Sequence, residues 1–239
     1  MSATIIFDFD GTVAVGNGPV LAYAREAARG AGGDLLARLE RELAAFEAGE
    51  PGRFRDGYDV VGTLADDAGV AADQRQRAYL ASRAALGTPD AEPAAAAPGL
   101  ADLLGALPEA ARVVLVTNAP ESGVDAALRA WGVRDRFDEL VFDAGKPAGL
   151  SAIVARALET GPVLSIGDIV ENDLAPARAL GADTALVGAT AATASEPVTF
   201  RAQRLVELID PIVSWARAAE LASPSVPAAS PTPKGPAHA

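Results

Sequence analysis

Cysteine is absent from this chain of 239 residues, and the single histidine is His238, in the last two residues. The lack of cysteine excludes disulfides and thiolate metal sites, and it is compatible with a reducing compartment. Histidine is not expected to act as a general base, because the single histidine is the second-last residue of the sequence. Any enzymatic chemistry must therefore use carboxylates, hydroxyls, lysine, arginine or a metal ion held by oxygen atoms.

Basic residues are also few, with 20 Lys and Arg against 32 Asp and Glu and a net charge of −12. Proteins that bind nucleic acid usually carry a basic face, and no basic cluster is found, so no nucleic-acid partner is expected. The N-terminus lacks a basic region before a long apolar stretch, and no run approaches the roughly 20 apolar residues of a membrane span. We expect a cytoplasmic protein without a membrane partner, whose oligomeric state the sequence leaves open.

Short apolar runs predict the strands of a parallel sheet. They do not alternate with polar residues, which is typical of strands buried on both faces. These runs are TIIF at 4–7, VVLV at 113–116, PVLSI at 162–166 and DTALV at 183–187.

Helical segments alternate with these runs. They are predicted at 99–107, at 122–132 with Ser122 as N-cap and Gly132 as its stop, at 149–161 and at 173–181. This alternation predicts a doubly wound α/β core made of residues 1–14 and 98–221.

Residues 15–97 interrupt that alternation, because no buried-strand run lies within them. Helices are predicted there at 18–30, 34–48, 56–69 and 71–86, and apolar residues recur at helical spacing in the second. We therefore predict an all-helical insert that forms a separate cap domain. Residues 222–239 carry five prolines and little apolar surface, so this tail is predicted to be disordered.

Polar residues follow the predicted strands directly. Asp8 follows the first strand, Thr117 and Asn118 the second, and Asp168 the third. Ligands of open α/β sheets bind beyond the carboxyl ends of the strands, so one shared site is expected. Asp8 and Asp10 point to one side of a strand end, and a cation would relieve their repulsion. A site built from oxygen ligands, with no histidine or cysteine available, favours Mg²⁺.

Two later stretches add charged groups to this expected site. GDIVEND at 167–173 supplies Asp173 besides Asp168, and GKP at 145–147 supplies Lys146, one of only two lysines in the chain. A lone lysine among acids would balance the negative charge of a site.

These stretches occur in a defined order: FDFDGT at 7–12, VTN at 116–118, GKP, then GDIVEND. The order resembles the four motifs of the haloacid dehalogenase (HAD) superfamily. The predicted helical insert resembles the C1-type cap of that superfamily. The resemblance implies a HAD-like Rossmannoid core with an inserted helical cap.

The resemblance implies a role for each motif residue. Asp8 matches the nucleophile that forms an aspartyl-phosphate, and Asp10 matches the general acid/base. Thr117 matches the hydroxyl that binds phosphoryl oxygens, and Lys146 matches the lysine that neutralises nucleophile and phosphate.

The resemblance also implies a magnesium site. Mg²⁺ would be held by the carboxylates of Asp8 and Asp168 and by the backbone carbonyl of Asp10. Asp173 matches an acid that orients Lys146 or supports the metal shell.

The implied function is that of a Mg²⁺-dependent phosphatase acting on a small phosphorylated metabolite. An aspartate at the position of Asp10 is typical of the phosphatases and phosphomutases of the superfamily, whereas members that cleave carbon–halogen or carbon–phosphorus bonds usually lack it. Two alternatives stay open, a phosphomutase of the same fold and a non-catalytic binding or regulatory protein.

Candidate substrate-binding residues lie in the predicted cap and after the second strand. Arg53 and Arg55, in RFRDGYD at 53–59, suit bidentate recognition of an anionic substrate tail, although a solvated loop between helices is the other interpretation. Asn118 is a further candidate.

Overall fold

The computed structural model describes residues 2–29, 31, 33–49, 54–86 and 94–221. Eight strands are described: β1 (Thr4–Phe7), β2 (Ala14–Val15), β3 (Ala95–Ala96), β4 (Arg112–Val116), β5 (Glu139–Val141), β6 (Val163–Gly167), β7 (Asp183–Leu186) and β8 (Phe200–Arg201). The described α-helices are α1 (Gly18–Ala28), α2 (Leu35–Glu47), α3 (Gly57–Asp67), α4 (Ala72–Ala85), α5 (Leu100–Ala106), α6 (Glu121–Ala130), α7 (Ala148–Leu158), α8 (Ala175–Ala179) and α9 (Ile209–Leu221).

Six strands form one parallel sheet in the order β5-β4-β1-β6-β7-β8. The chain winds outward from β1 in both directions, so the predicted doubly wound α/β fold is confirmed. Phe7 at the end of β1 pairs with Leu115 on one side and with Ile166 on the other. The carboxyl ends of β4, β1 and β6 therefore lie level, and whatever follows these strands meets at one edge of the sheet.

Both faces of the sheet are covered, which explains why its central strands do not alternate with polar residues. Ile5 and Phe7 of β1 belong to an apolar cluster that includes α5, α6 and α9. Ile6, between them, faces the opposite layer, where it joins Leu150 and Val154 of α7. Successive strand residues point to opposite faces, so a run of apolar residues fills both layers.

Helices α1 to α4 form a helical insert with an apolar cluster of its own. Leu39 and Leu43 of α2 and Val61 of α3 are almost completely buried in it. The short strands β2 and β3 pair antiparallel next to the sheet, with Ala14 opposite Ala96, and they carry the chain into and out of the insert. These two-residue strands have too little apolar sequence to be predicted. The domain limits 15–97 remain a prediction, since residues 50–53 and 87–93 are outside the described part.

The start of α6 differs from the prediction. Ser122 does not cap this helix; its backbone is extended, with ψ 125°, and Gly123 follows with φ +86°. A Cβ atom at position 123 would lie 2.3 Å from the carbonyl oxygen of Arg83 at the end of α4. The chain bends there because α4 packs against it. Gly132 does end the helix, with φ +70°.

The prediction of disorder for residues 222–239 lies outside the described residues. Within the part of the chain that the structure describes, no helix is long and apolar enough to cross a bilayer.

Candidate active site

The predicted site residues of the core meet at the carboxyl edge of the sheet. Asp8 follows β1, Thr117 follows β4, and Lys146 lies in the loop before α7. Together with Asp10 and Asp173 they line a cavity of about 130 Å³. The level strand ends thus bring together residues that are up to 165 positions apart, from 8 to 173.

Lys146 is the central cation of this cavity. Its Nζ donates to Asp8 Oδ1 at 2.5 Å and to Asp173 Oδ1 at 2.7 Å, and its side chain is only 4% exposed. Burial lowers the pKa of Lys146, but the charges of Asp8 and Asp173 outweigh burial and raise the pKa above its usual value. The side chain is therefore a fixed positive charge directly beside the candidate nucleophile.

Three carboxylates lie around Lys146, which contacts two of them, Asp8 and Asp173. Asp8, Asp168 and Asp173 each offer an oxygen within 4.8 Å of the others. The pKa of Asp8 is raised to about 7, because burial and the charge of Asp173 outweigh the opposite effect of Lys146. Burial likewise raises the pKa of Asp168 well above its usual value, and the charges of Asp8 and Asp173 act in the same direction. With all three carboxylates ionised, negative charge would exceed positive charge in this cluster.

Asp168 shows that a cation fits this cluster. Its Oδ1 is buried without a hydrogen-bond partner among the residues described. Gly11 makes room for this carboxylate, since a Cβ atom at position 11 would lie 2.1 Å from Asp168 Oδ2. An unpaired buried oxygen in a group of carboxylates matches the oxygen-rich ligand sets that hard divalent cations prefer.

Asp173 is held firmly beside the lysine. Its Oδ2 accepts from the backbone N–H of Ile169 at 3.0 Å, and its Oδ1 accepts from Lys146. The hydroxyl of Ser165 also donates to its carbonyl oxygen at 2.7 Å. Because both carboxylate oxygens are already engaged, Asp173 is better placed to orient Lys146 than to bind a metal directly.

Asp10 has different partners from Asp8. Its Oδ1 accepts from Arg83 Nη1 at 2.7 Å and from the hydroxyl of Tyr58 at 3.4 Å. Arg83 Nη1 also donates to Tyr58 Oη at 2.7 Å. Both partners belong to the helical insert, so the insert contacts the active site at the candidate acid/base. The two aspartates of FDFDGT are thus chemically distinct.

Arg83 is the main candidate site residue that the sequence did not predict. Its side chain is 0% exposed, and its guanidinium lies 5.6 Å from the ring centre of Phe9 and 5.8 Å from that of Tyr58. One sequence signal existed: an arginine occurs on the buried face of α4, next to Ser82 and four residues after Tyr79. A charged residue on such a face needs a buried partner.

Thr117 and Asn118 lie at the cavity as predicted. The buried hydroxyl of Thr117 accepts from the backbone N–H of Ala119 at 3.0 Å. Asn118 Oδ1 accepts from the backbone N–H of Lys146 at 2.7 Å, so this side chain positions the lysine loop.

Of the two predicted cap arginines, the one that the structure describes, Arg55, does not line this cavity. Arg55 is exposed, binds Asp59 at 2.9 Å and lines a separate open groove on the helical insert. Its pairing with the nearby acid explains this position. Arg53 lies outside the described residues.

A second cavity, of about 240 Å³, lies between the helical insert and the core. Asp10, Asp56 and Tyr58 line both cavities, so the two meet at the candidate acid/base. Asp56 is the N-cap of α3, where its Oδ1 accepts from the backbone N–H of Asp59 at 2.6 Å. Burial raises the pKa of Asp56 to about 6.

A family model described as a haloacid dehalogenase-like hydrolase matches residues 3–181, which is most of the chain. None of the curated proteins matches the sequence.

Three solved structures illustrate the fold. A HAD-hydrolase structure of YfnB from Bacillus subtilis, described as bound to magnesium, is 21% identical; the match covers 88% of this chain and 98% of that one, with a TM-score of 0.60. A structure described as a phosphoglycolate phosphatase from Lactobacillus plantarum is 20% identical, with 88% and 99% coverage and a TM-score of 0.57. A 2-haloacid dehalogenase from Pseudomonas syringae pv. Tomato is 16% identical, with 90% and 100% coverage and a TM-score of 0.50. At these identities the likeness concerns the fold alone, and that fold accommodates more than one reaction.

Proposed function

This chain belongs to the haloacid dehalogenase-like hydrolase family, and we propose that it hydrolyses a small phosphomonoester with Mg²⁺ as cofactor. The observation that carries the proposal is the pair of unlike aspartates. Asp8 is bound to Lys146 inside the cavity, whereas Asp10 is bound to Arg83 and Tyr58 at its border. One position suits a nucleophile, and the other suits a group that exchanges a proton with a leaving group.

The metal would be held by Asp8 and Asp168, with the backbone carbonyl of Asp10 as the ligand that the family motif implies. When bound, Mg²⁺ would neutralise the phosphoryl oxygens and keep Asp8 ionised despite its burial. Asp173 would support the site by fixing Lys146.

In the first step, a carboxylate oxygen of Asp8 attacks phosphorus, and the bond from phosphorus to the ester oxygen breaks. Asp10 gives its proton to the departing oxygen, so the leaving group departs as an alcohol. Lys146 and the hydroxyl of Thr117 face the phosphoryl oxygens, whose negative charge they balance. The product of this step is an aspartyl-phosphate on Asp8.

In the second step, Asp10 removes a proton from a water molecule, and the water oxygen attacks phosphorus. The bond from Asp8 to phosphorus breaks, which returns the free carboxylate and releases inorganic phosphate. Arg83 and Tyr58 both bind Oδ1 of Asp10, so Oδ2 is the oxygen left for both proton transfers.

Phosphate release from a panel of phosphate esters tests this proposal. The assay compares Mg²⁺ with EDTA, and the parent with Asp8→Asn and with Asp102→Asn, which changes an exposed aspartate on α5 as a control. We expect phosphate release that depends on Mg²⁺, that is lost in Asp8→Asn and that is unchanged in Asp102→Asn.

Three results would contradict the proposal in different ways. Turnover that persists in folded Asp8→Asn excludes this nucleophile. Isomerised sugar phosphate without free phosphate indicates a phosphomutase. A folded parent without turnover on the whole panel indicates a binding or regulatory protein.

A further inference from the structure

The second cavity adjoins the site at the atom where a leaving group would depart. It shares Asp10, Asp56 and Tyr58 with the smaller cavity that holds Asp8 and Lys146. A phosphate ester whose phosphoryl group lies beside Lys146 can extend past Asp10 into this larger space. The ester oxygen would then lie next to the side chain that supplies its proton.

The walls of the second cavity are largely apolar. They come from the core and from the helical insert, and they include Phe9, Val15, Val20, Leu43, Phe46 and Leu86. Contact with such walls favours a leaving group that loses little hydration when it enters.

Every charged side chain among the described residues that line this cavity is acidic. These residues are Asp10, Glu47, Asp56 and Asp168, and no lysine or arginine accompanies them in the described ranges. Burial raises the pKa of Asp56 to about 6, so this wall of the cavity disfavours negative charge even on its own carboxyl group. A carboxylate on the leaving group would add an unpaired anion to that environment.

The acids are not arranged as a binding site for a positively charged group. Asp10 is bound by Arg83 and Tyr58, Asp168 belongs to the three-carboxylate cluster, and Asp56 caps α3. Only Glu47, at the exposed end of α2, is without such a role. The apolar walls therefore select the leaving group, and the acidic side chains disfavour a leaving group that is an anion.

We propose that the leaving group is an uncharged, largely apolar alcohol that occupies the cavity between the helical insert and the core. The inference rests on the proposed function and adds a substrate class to it. It also sets this chain apart from hydrolases whose substrates carry a carboxylate beside the reacting bond.

Three phosphate esters of similar size but different charge test this inference. n-Propyl phosphate carries an uncharged alkyl group, phosphoethanolamine ends in an ammonium group, and phosphoglycolate ends in a carboxylate. We expect kcat/KM for n-propyl phosphate to exceed that for phosphoglycolate by about tenfold or more and to exceed that for phosphoethanolamine, with n-hexyl phosphate better still. Equal or higher kcat/KM for phosphoglycolate or phosphoethanolamine would overturn the inference.

A charge reversal in the cavity provides an independent test. Glu47→Lys places a cation at the wall, and Glu40→Lys makes the same change at an exposed position of α2 away from the cavity. We expect Glu47→Lys to raise the ratio of phosphoglycolate to n-propyl phosphate turnover by about tenfold, and Glu40→Lys to leave it unchanged. The same ratio in all three proteins would show that the cavity does not hold the leaving group.

Arg53→Gln addresses the earlier expectation of an anionic substrate tail. If this variant loses a preference for phosphoglycolate that the parent possesses, the leaving group is anionic and the inference is wrong. We expect the variant to keep the preference for the alkyl esters.

Failure of this inference is distinguishable from failure of the proposed function. p-Nitrophenyl phosphate is assayed first, with Mg²⁺ and with Asp8→Asn. If neither this ester nor any other is hydrolysed, the proposed function fails, and the inference fails with it. If hydrolysis depends on Asp8 but favours charged leaving groups, only the inference on the leaving group fails.

Discussion

Arg83 of the helical insert binds Asp10 of the core, with 2.7 Å between Nη1 and Oδ1, although 73 positions separate the two residues in the chain. The guanidinium is completely buried, whereas the carboxylate is 31% exposed toward the cavities. The helical insert therefore takes part in the active site through the side chain that is proposed to move protons. Its contribution goes beyond covering the site.

Removal of this arginine should affect both stability and catalysis. In Arg83→Met, Asp10 loses its cationic partner, and the insert loses its ion pair with the core. We expect a loss of about 1–3 kcal/mol in the free energy of unfolding, less than for a fully buried pair because Asp10 is partly exposed. We also expect kcat to fall by about tenfold or more. Urea denaturation and steady-state kinetics measure the two effects.

Arg77→Met is the matched control for this prediction. Arg77 lies on the same helix and pairs with Asp73 on the exposed surface. Its loss should change neither stability nor rate measurably, because exposed ion pairs contribute little. Equal behaviour of the two variants would argue against a role for Arg83 at the site.

Lys146→Met should abolish most of the turnover. The change removes the cation that, among the described residues, contacts both Asp8 and Asp173, and it leaves their charges uncompensated. We expect kcat/KM to fall by about 10²–10³-fold, the range seen when one donor to a developing oxyanion is removed. Lys146→Arg keeps the charge in a bulkier form and should retain more activity than Lys146→Met. Full activity in Lys146→Met would contradict the assignment.

The effect of Asp168→Asn on stability, relative to the parent, should change sign when magnesium is added. Without metal, the variant removes a carboxylate whose pKa is raised by burial and by its neighbours, so we expect a higher melting temperature than for the parent. With millimolar Mg²⁺ the parent should gain stability by mass action, whereas the variant should gain little. Thermal unfolding with and without Mg²⁺ measures both effects. An equal shift with Mg²⁺ in both proteins would place the metal elsewhere.

Asp56 should make the folded protein less stable as pH rises. Its pKa is about 6 in the folded protein against 3.8 for the ordinary side chain. Between these values the folded state binds more protons than the unfolded state, so the free energy of unfolding falls as pH rises from about 4 to about 6. Asp56→Asn keeps a side-chain oxygen for the N-cap and removes the charge.

The Asp56→Asn variant should therefore be more stable than the parent at pH 7.5, by about 1–2 kcal/mol once partial exposure of the group is allowed for. The difference should vanish near pH 4. Urea denaturation across this pH range tests the prediction, with Asp34→Asn as control. Asp34 is the exposed N-cap of α2 and makes no side-chain capping bond. A stability difference that grows as pH falls would contradict the predicted sign.

The sequence was sufficient to predict the central strands of the sheet and the chemical groups at its carboxyl edge. β1, β4, β6 and β7 are runs of apolar residues, so their positions were predicted to within about one residue. Asp8, Lys146 and Asp173 were expected in one site, because parallel strands end at the same edge. In the structure Lys146 contacts both Asp8 and Asp173, in agreement with that expectation.

The remaining strands and side-chain contacts depend on tertiary packing, which a local sequence pattern does not show. β8 has two residues and β5 has three half-buried ones, so neither gives a run of buried apolar residues. The pairing of Arg83 with Asp10 is a tertiary contact between α4 and the segment after β1, across 73 positions of the chain. Arg55 was a candidate for binding an anionic substrate tail, with a solvated loop as the other interpretation. It lies just before α3 and binds Asp59 of that helix on the surface.

The β2–β3 ribbon has a consequence for how this protein varies. Ala14 pairs with Ala96, and Val15 pairs with Ala95, so the chain enters the helical insert and leaves it at adjacent points. For the catalytic sheet, everything from residue 16 to residue 94 is equivalent to the tip of a hairpin. Loop-closure entropy rises only slowly with the length of such a tip. The whole insert can therefore be exchanged at one paired junction, while β1 and β4, which precede Asp8 and Thr117, keep their register.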